Sequence, residues 1–213
     1  MTTTLVSDIP GLFRCESLSE AAAMQTLLKV AKQLRNQGHR ENDVYTVNLH
    51  IECPPEVLYD YLLDIRSLEE YTYSTRRLRI DTTTGLWVGQ DATEPETEIY
   101  MRITGNREVG TVDYESAYDQ GNDLWMVYCG RILSAERVQH RPGSLVSWTI
   151  WRHPYYDKNP YPHLAPSRTR TWPGSLWPLF HALDVLELGN LKHIVEHRVR
   201  ASDDRAHPQG AIT

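Results

Sequence analysis

The feature that most constrains the fold is a run of strand-like segments: Arg76 to Asp81, Trp87 to Gln90, Glu98 to Thr104, Thr111 to Tyr118, Leu124 to Glu136 and Leu145 to His153. They are joined by Gly-, Asn- or Asp-bearing turns such as Asp119-Gln-Gly-Asn-Asp123 and Arg141-Pro-Gly143, and turns of that chemistry favour antiparallel hairpins. One more strand precedes the run. Tyr45, Val47, Leu49 and Ile51 alternate with Thr46, Asn48 and His50, a period of two. Pro54-Pro55-Glu56 then opens a helix, because proline suits a first helical turn and a carboxylate suits the positive helix end. Its apolar stripe is Val57, Leu58, Tyr61, Leu62 and Ile65, and Ser67-Leu-Glu-Glu70 reads as a second capped turn. A Pro-rich stretch, His153 to Pro178, leads to one long terminal helix, Leu179 to Arg200. The expected architecture is α+β, with about six or seven antiparallel strands in one curved sheet that grips one long helix.

The 213 residues amount to one generous domain, so a single core is expected. Residues 1–42 read as an N-terminal helical extension, 43–200 as the sheet-and-helix domain and 201–213 as a polar, mobile tail. In the extension, Ser17-Leu-Ser-Glu20 resembles a capping box. Leu18, Ala21, Ala22, Leu28, Ala31 and Leu34 recur at helical spacing up to a stop at Gly38. Such a stripe must be buried. The default is the outer sheet face of the same chain; the alternative is a second subunit, which would make a homodimer.

Composition removes several function classes. Mean hydropathy is -0.50, and no apolar run nears the roughly 18 residues a membrane span needs. The net charge is -6 and Arg76-Arg77 is the densest basic cluster, which argues against nucleic acid and anionic membrane as partners. Cys15, Cys53 and Cys129 are odd in number and form no Cys-x-x-Cys, so neither a disulfide framework nor a thiolate zinc site is expected. The first fifteen residues lack the basic and apolar regions of a signal peptide, so a cytoplasmic protein is expected. No phosphate-cradling glycine loop, nucleophile elbow or dinucleotide fingerprint occurs. The aromatic inventory is lopsided, with twelve Tyr and six Trp against two Phe. Rings with a polar handle suit surfaces that meet a partly polar organic ligand.

Three stretches carry a family resemblance. Val47-Asn-Leu-His-Ile-Glu-Cys-Pro-Pro-Glu-Val-Leu-Tyr-Asp-Tyr-Leu-Leu-Asp64 is similar to the strand, Pro-Pro-Glu and helix opening of the START-like, polyketide-cyclase-like (SRPBCC) superfamily. Trp125 to Leu133 with Ser144-Leu-Val-Ser-Trp-Thr-Ile150 resembles its later hairpin, and Leu188-Gly-Asn-Leu-Lys-His-Ile-Val-Glu196 its terminal helix. The resemblance covers roughly residues 43–200 and implies a helix-grip fold whose terminal helix walls a ligand cavity. It specifies function poorly, because the superfamily spans aromatases and cyclases, lipid carriers, hormone receptors and oxygenase domains.

His193-Ile-Val-Glu196-His197 matches a zinc-peptidase pattern. A helical wheel turns His193 and Glu196 away from the apolar arc of Leu176, Phe180, Leu183, Leu191 and Ile194, so a solvated flank is expected there. Glu187 and Asn190 instead fall inside that arc, where an unpaired carboxylate costs several kcal/mol. They are candidates for ligand contact or proton transfer; the alternative is a buried pair of Glu187 with Arg131 or Arg102. With Tyr128 and Arg131 they form the candidate catalytic set. Tyr71, Tyr73, Trp125, Trp148, Tyr155, Tyr156 and Tyr161 are the candidate substrate contacts, the last three within a Pro/Tyr-rich lid. Strand alternation puts Asp113 and Glu115 on one face and Tyr114, Ser116 and Tyr118 on the other, without fixing which is inward.

The leading expectation is an enclosed hydrophobic or aromatic small molecule whose cyclisation, dehydration or rearrangement is promoted by cavity shape and acid/base groups, with no cofactor. A non-catalytic carrier or sensor of a hydrophobic ligand is the rival. A metal-dependent enzyme using His153, Asp157 and His163 is the third reading.

Overall fold

The structure is a computed structural model that describes residues 5–36, 44–167 and 170–206. Its sheet has seven strands, β1 (Val44–Ile51), β2 (Thr75–Ile80), β3 (Trp87–Asp91), β4 (Glu98–Asn106), β5 (Thr111–Tyr118), β6 (Met126–Ser134) and β7 (Ser144–Trp151). All pair antiparallel in the order β1-β7-β6-β5-β4-β3-β2. Strands β2 to β7 are thus consecutive hairpins, and β1 closes the far edge against β7, as Val47 opposite Trp148 and Ile51 opposite Ser144 fix its register. Helices α1 (Glu20–Asn36), α2 (Pro55–Leu63), α3 (Leu68–Tyr71), α4 (Ala135–Gln139) and α5 (Trp177–Ala206) complete the described residues.

Alternation now acquires a direction. Tyr45 and Ile51 on β1, Val112, Tyr114 and Ser116 on β5, Met126 and Ile132 on β6, and Trp148 and Ile150 on β7 are buried. Their neighbours Arg131 and Trp151 are exposed. The inner face packs on α2, α3 and α5 through Ile51, Leu58, Leu62, Leu188, Leu191 and Ile194. Gly130 has no side chain because its Cβ would meet the Trp148 ring at 2.8 Å and the Val112 carbonyl oxygen at 2.8 Å.

Several boundaries differ from the sequence reading. Helix α1 is capped by Ser19, not Ser17: the Ser19 Oγ accepts from the Ala22 amide at 3.4 Å and the first helical residue is Glu20. Its buried stripe is Ala23 and Leu27, while Leu28 is 54% exposed. The stripe packs against Phe13 and Ala182, so α1 lies on α5 and not on the outer sheet face. Gly38 falls outside the described residues. Ser67 does not cap α3 with its side chain, and it is buried. The segment ending at Glu136 leaves the sheet after Ser134 and becomes α4. The terminal helix starts two residues earlier than expected and runs on to Ala206, so the first part of the expected tail is helical; residues 207–213 lie outside the described residues.

Candidate functional site

Between α5 and the inner sheet face lies a cavity of about 340 Å³. Its floor is Tyr114, Ser116 and Tyr118 of β5 with Met126 and Tyr128 of β6 and Trp148 of β7. Leu183, Asp184, Glu187 and Leu188 of α5 form the opposite wall, because residues three and four apart share one helix face. Its rim combines Met24 of α1, Thr93 and Glu94 of the β3–β4 turn, and Thr171 and Leu176 before α5, all of them exposed. The N-terminal extension thus contributes to the cavity, through Glu20, Ala23, Met24 and Leu27.

The expected residues separate into groups. Glu187, Tyr128, Tyr71, Tyr73 and Trp148 all line the cavity. Glu187 Oε1 accepts from the Tyr73 amide at 2.7 Å. Burial pushes the Glu187 carboxyl up to about 7, although the Tyr73 amide and the Arg76 charge oppose the rise. Burial likewise holds the Tyr128 and Tyr118 phenols above their ordinary value, so both are neutral donors at neutral pH.

Asn190 is buried but is not part of the lining. Its side-chain oxygen accepts from the Phe13 amide at 2.7 Å, and its NH2 donates to the carbonyls of Phe13 at 2.8 Å and Tyr71 at 2.9 Å. With those bonds made, Asn190 clamps the N-terminal segment to α3 and has no chemistry left for a ligand. Arg131 is removed from the site by strand alternation: it is exposed on the outer face of β6, opposite Ser147 and Thr111. The alternative pairing of Glu187 with Arg131 or Arg102 fails for the same reason, since Arg102 is exposed and binds Glu115.

The Pro/Tyr-rich stretch does not deliver its aromatics to the cavity. Trp125 and the fully buried Tyr156 sit in a second core with Trp177 and Phe180, and Tyr155 packs against that core. Tyr161 lies away from the lining, in ring contact with His163. Asp157 is held by Arg152 through both carboxylate oxygens, at 2.6 and 2.8 Å. Among the described residues no group of three His, Cys, Asp or Glu side chains could hold a metal ion, and His153, Asp157 and His163 are no exception. Glu196 is buried rather than solvated: it accepts from the Glu52 amide at 2.8 Å and pairs with Lys192.

One candidate residue escaped the sequence reading. Asp184 is 7% exposed, lines the cavity, and its Oδ2 has no hydrogen-bond partner among the described residues. Burial, reinforced by the Glu187 charge, holds its carboxyl well above the ordinary range. The available signal was its position three residues before Glu187, which places two acids on one helix face. A second acid with a buried side chain behaves differently, for Asp119 is paired with Arg170, which also donates to Thr97 at 2.7 Å.

Comparison with protein-family models and with curated proteins gives no match. Solved structures do match. An aromatase/cyclase, Zhui, from a Streptomyces species aligns over 75% of this chain and 96% of its own, with TM-score 0.50 and 13% identity. A START superfamily protein from Mycobacterium smegmatis aligns over 75% of this chain and 99% of its own, with TM-score 0.45 and 10% identity. A protein from Chromobacterium violaceum aligns over 73% and 99%, with TM-score 0.47 and 15% identity. The chain has a START-like, helix-grip fold. That likeness concerns the fold; the cavity chemistry rests on this chain's own residues. No described helix is long and apolar enough to cross a membrane.

Proposed function

We propose that this helix-grip protein encloses an aromatic or polyketide-like small molecule between α5 and the sheet and promotes its cyclisation, dehydration or rearrangement by acid/base transfer. The observation that carries the reading is the pair Asp184 and Glu187 on the wall of a cavity otherwise lined mainly by apolar and tyrosyl side chains. The two acids have unequal environments, since Glu187 accepts from the Tyr73 amide and Asp184 Oδ2 has no partner among the described residues. Glu187, with its carboxyl near 7, is matched to giving and taking protons at neutral pH. Tyr118 and Tyr128 line the cavity, and their phenols would hydrogen-bond carbonyl or enol oxygens. The cavity volume of about 340 Å³ lies at the small end of the roughly 300–1,000 Å³ typical of ligand sites. It suits a compact ring system and is too small for a two-chain lipid. Enclosure would then add rate by holding a flexible substrate in a reactive conformation.

The test is incubation of purified protein with neutral, anionic and amine-bearing aromatic and polyketide-like compounds, followed by liquid chromatography and mass spectrometry. Ring closure or loss of water is expected for at least one compound, and E187Q should lower its rate about 100-fold. An unchanged rate in E187Q overturns the assignment. A stoichiometric ligand that is recovered unchanged points to a carrier instead.

A further inference from the structure

We propose that the molecule enclosed by this cavity carries a basic nitrogen, and that Asp184 is its counter-charge. This deepens the reading above and rests on the cavity being a small-molecule site. Among the described residues the lining holds five carboxylate side chains, Glu20, Asp91, Glu94, Asp184 and Glu187, and no Lys, Arg or His. Arg76 and Arg170, whose charges reach Glu187 and Tyr118, are paired with other groups. Arg76 binds Glu16 and the carbonyls of Thr72, Tyr73 and Thr75, while Arg170 binds Asp119 and Thr97. Neither guanidinium lines the cavity.

A rim of acids would be an ordinary solvated surface. Asp184 is different because it is buried, faces the cavity and leaves Oδ2 without a partner among the described residues. A buried carboxyl in that state costs stability, and Glu187 one helical turn away adds like-charge repulsion. An ammonium group between them replaces that repulsion with attraction and supplies the missing donor. Aromatic faces complete the environment: Tyr118, Tyr128 and Trp148 line the same cavity, and ring faces attract a cation. The exposed Glu20 and Glu94, with Asp91, give the mouth a field that draws a cation in and turns an anion away. Asp184 then anchors the nitrogen, and Glu187 keeps the proton-transfer role proposed above.

Three probes on one scaffold, of which the amine and the alcohol are isosteric, separate charge from shape: naphthylethylamine, naphthylethanol and naphthylpropionate, titrated calorimetrically at neutral pH into the full chain and into D184N. The amine should bind about tenfold tighter than the alcohol, the worth of one desolvated charge contact, and the propionate more weakly than both. In D184N the amine should lose that advantage while the alcohol keeps its affinity, which also certifies the folded cavity. Equal binding of amine and alcohol, or an amine preference that survives in D184N, overturns the charge assignment and leaves the enclosed-ligand reading standing. If none of the three binds to protein that melts cooperatively, the cavity is not a small-molecule site and both proposals fall.

Discussion

The two halves of α5 treat buried polar side chains in opposite ways. In the C-terminal half the two buried groups are answered, Asn190 by the backbone of Phe13 and Tyr71 and Glu196 by the Glu52 amide and Lys192, and Arg198 pairs with both oxygens of Glu70 at 2.8 and 2.9 Å although its Nε has no partner among the described residues. In the N-terminal half Glu187 has one backbone partner and Asp184 leaves an oxygen with none among the described residues. Their protonation follows suit. Although burial opposes it, the Glu52 amide and Lys192 hold Glu196 below its ordinary value, whereas burial drives Asp184 and Glu187 upward. Satisfied groups fasten the helix to its surroundings; a buried acid left without a partner costs stability and is a candidate for ligand contact.

That contrast can be broken from the fastened side first. N190A should destabilise the protein by about 4 kcal/mol, because it strands three buried backbone groups. Chemical denaturation measures it, and a loss below about 1 kcal/mol would mean the clamp is not needed. The next largest effect is a pH dependence. The folded chain binds the Glu187 proton more tightly than the unfolded chain does, so stability should be greatest below the unfolded value near 4.5 and fall as pH rises toward about 7. That displacement corresponds to about 3 kcal/mol, and denaturation across this range should show the fall shrinking in E187Q.

Smaller again, D184N should raise stability by about 2 kcal/mol at neutral pH, since it removes a buried acid without leaving a gap. The gain should shrink as pH falls and vanish below about pH 3, where the acid is protonated in the unfolded chain as well. A destabilised D184N at neutral pH would place Asp184 with the fastening groups instead. The smallest effect belongs to R131A. On the outer face of β6 it should change stability by no more than about 0.5 kcal/mol and leave turnover untouched. A large fall in turnover would reinstate Arg131 in the site and contradict the direction of the sheet.

Most of the fold was legible in the residues. Alternation over Tyr45 to Ile51 and the turn chemistry of Asp119 to Asp123 specified antiparallel strands, because side-chain period and turn type are local properties. The helical wheel correctly put Glu187 and Asn190 on the inner side of α5, since 3.6 residues per turn is equally local. Three aromatic candidates from the Pro/Tyr-rich stretch were misplaced. Ring-rich composition does not say which of two cores a ring enters, and Tyr156 chose the one with Trp177.

Local patterning is enough to specify the sheet, the helix that fills it and the arc on which its buried polar groups fall. Long-range packing settles which of those groups are left without partners. Alternation defines two faces of β6 but not which is inward, so Tyr128 and Arg131 looked equivalent until packing chose between them. Asn190 and Glu187 looked equivalent too. Whether a buried polar atom is satisfied depends on pairs of atoms brought together across the chain, and the partners of Asn190, Phe13 and Tyr71, lie 177 and 119 residues away in sequence. The same long-range closure left Asp184 facing a cavity with an oxygen unmatched, a fact no window of neighbouring residues contains.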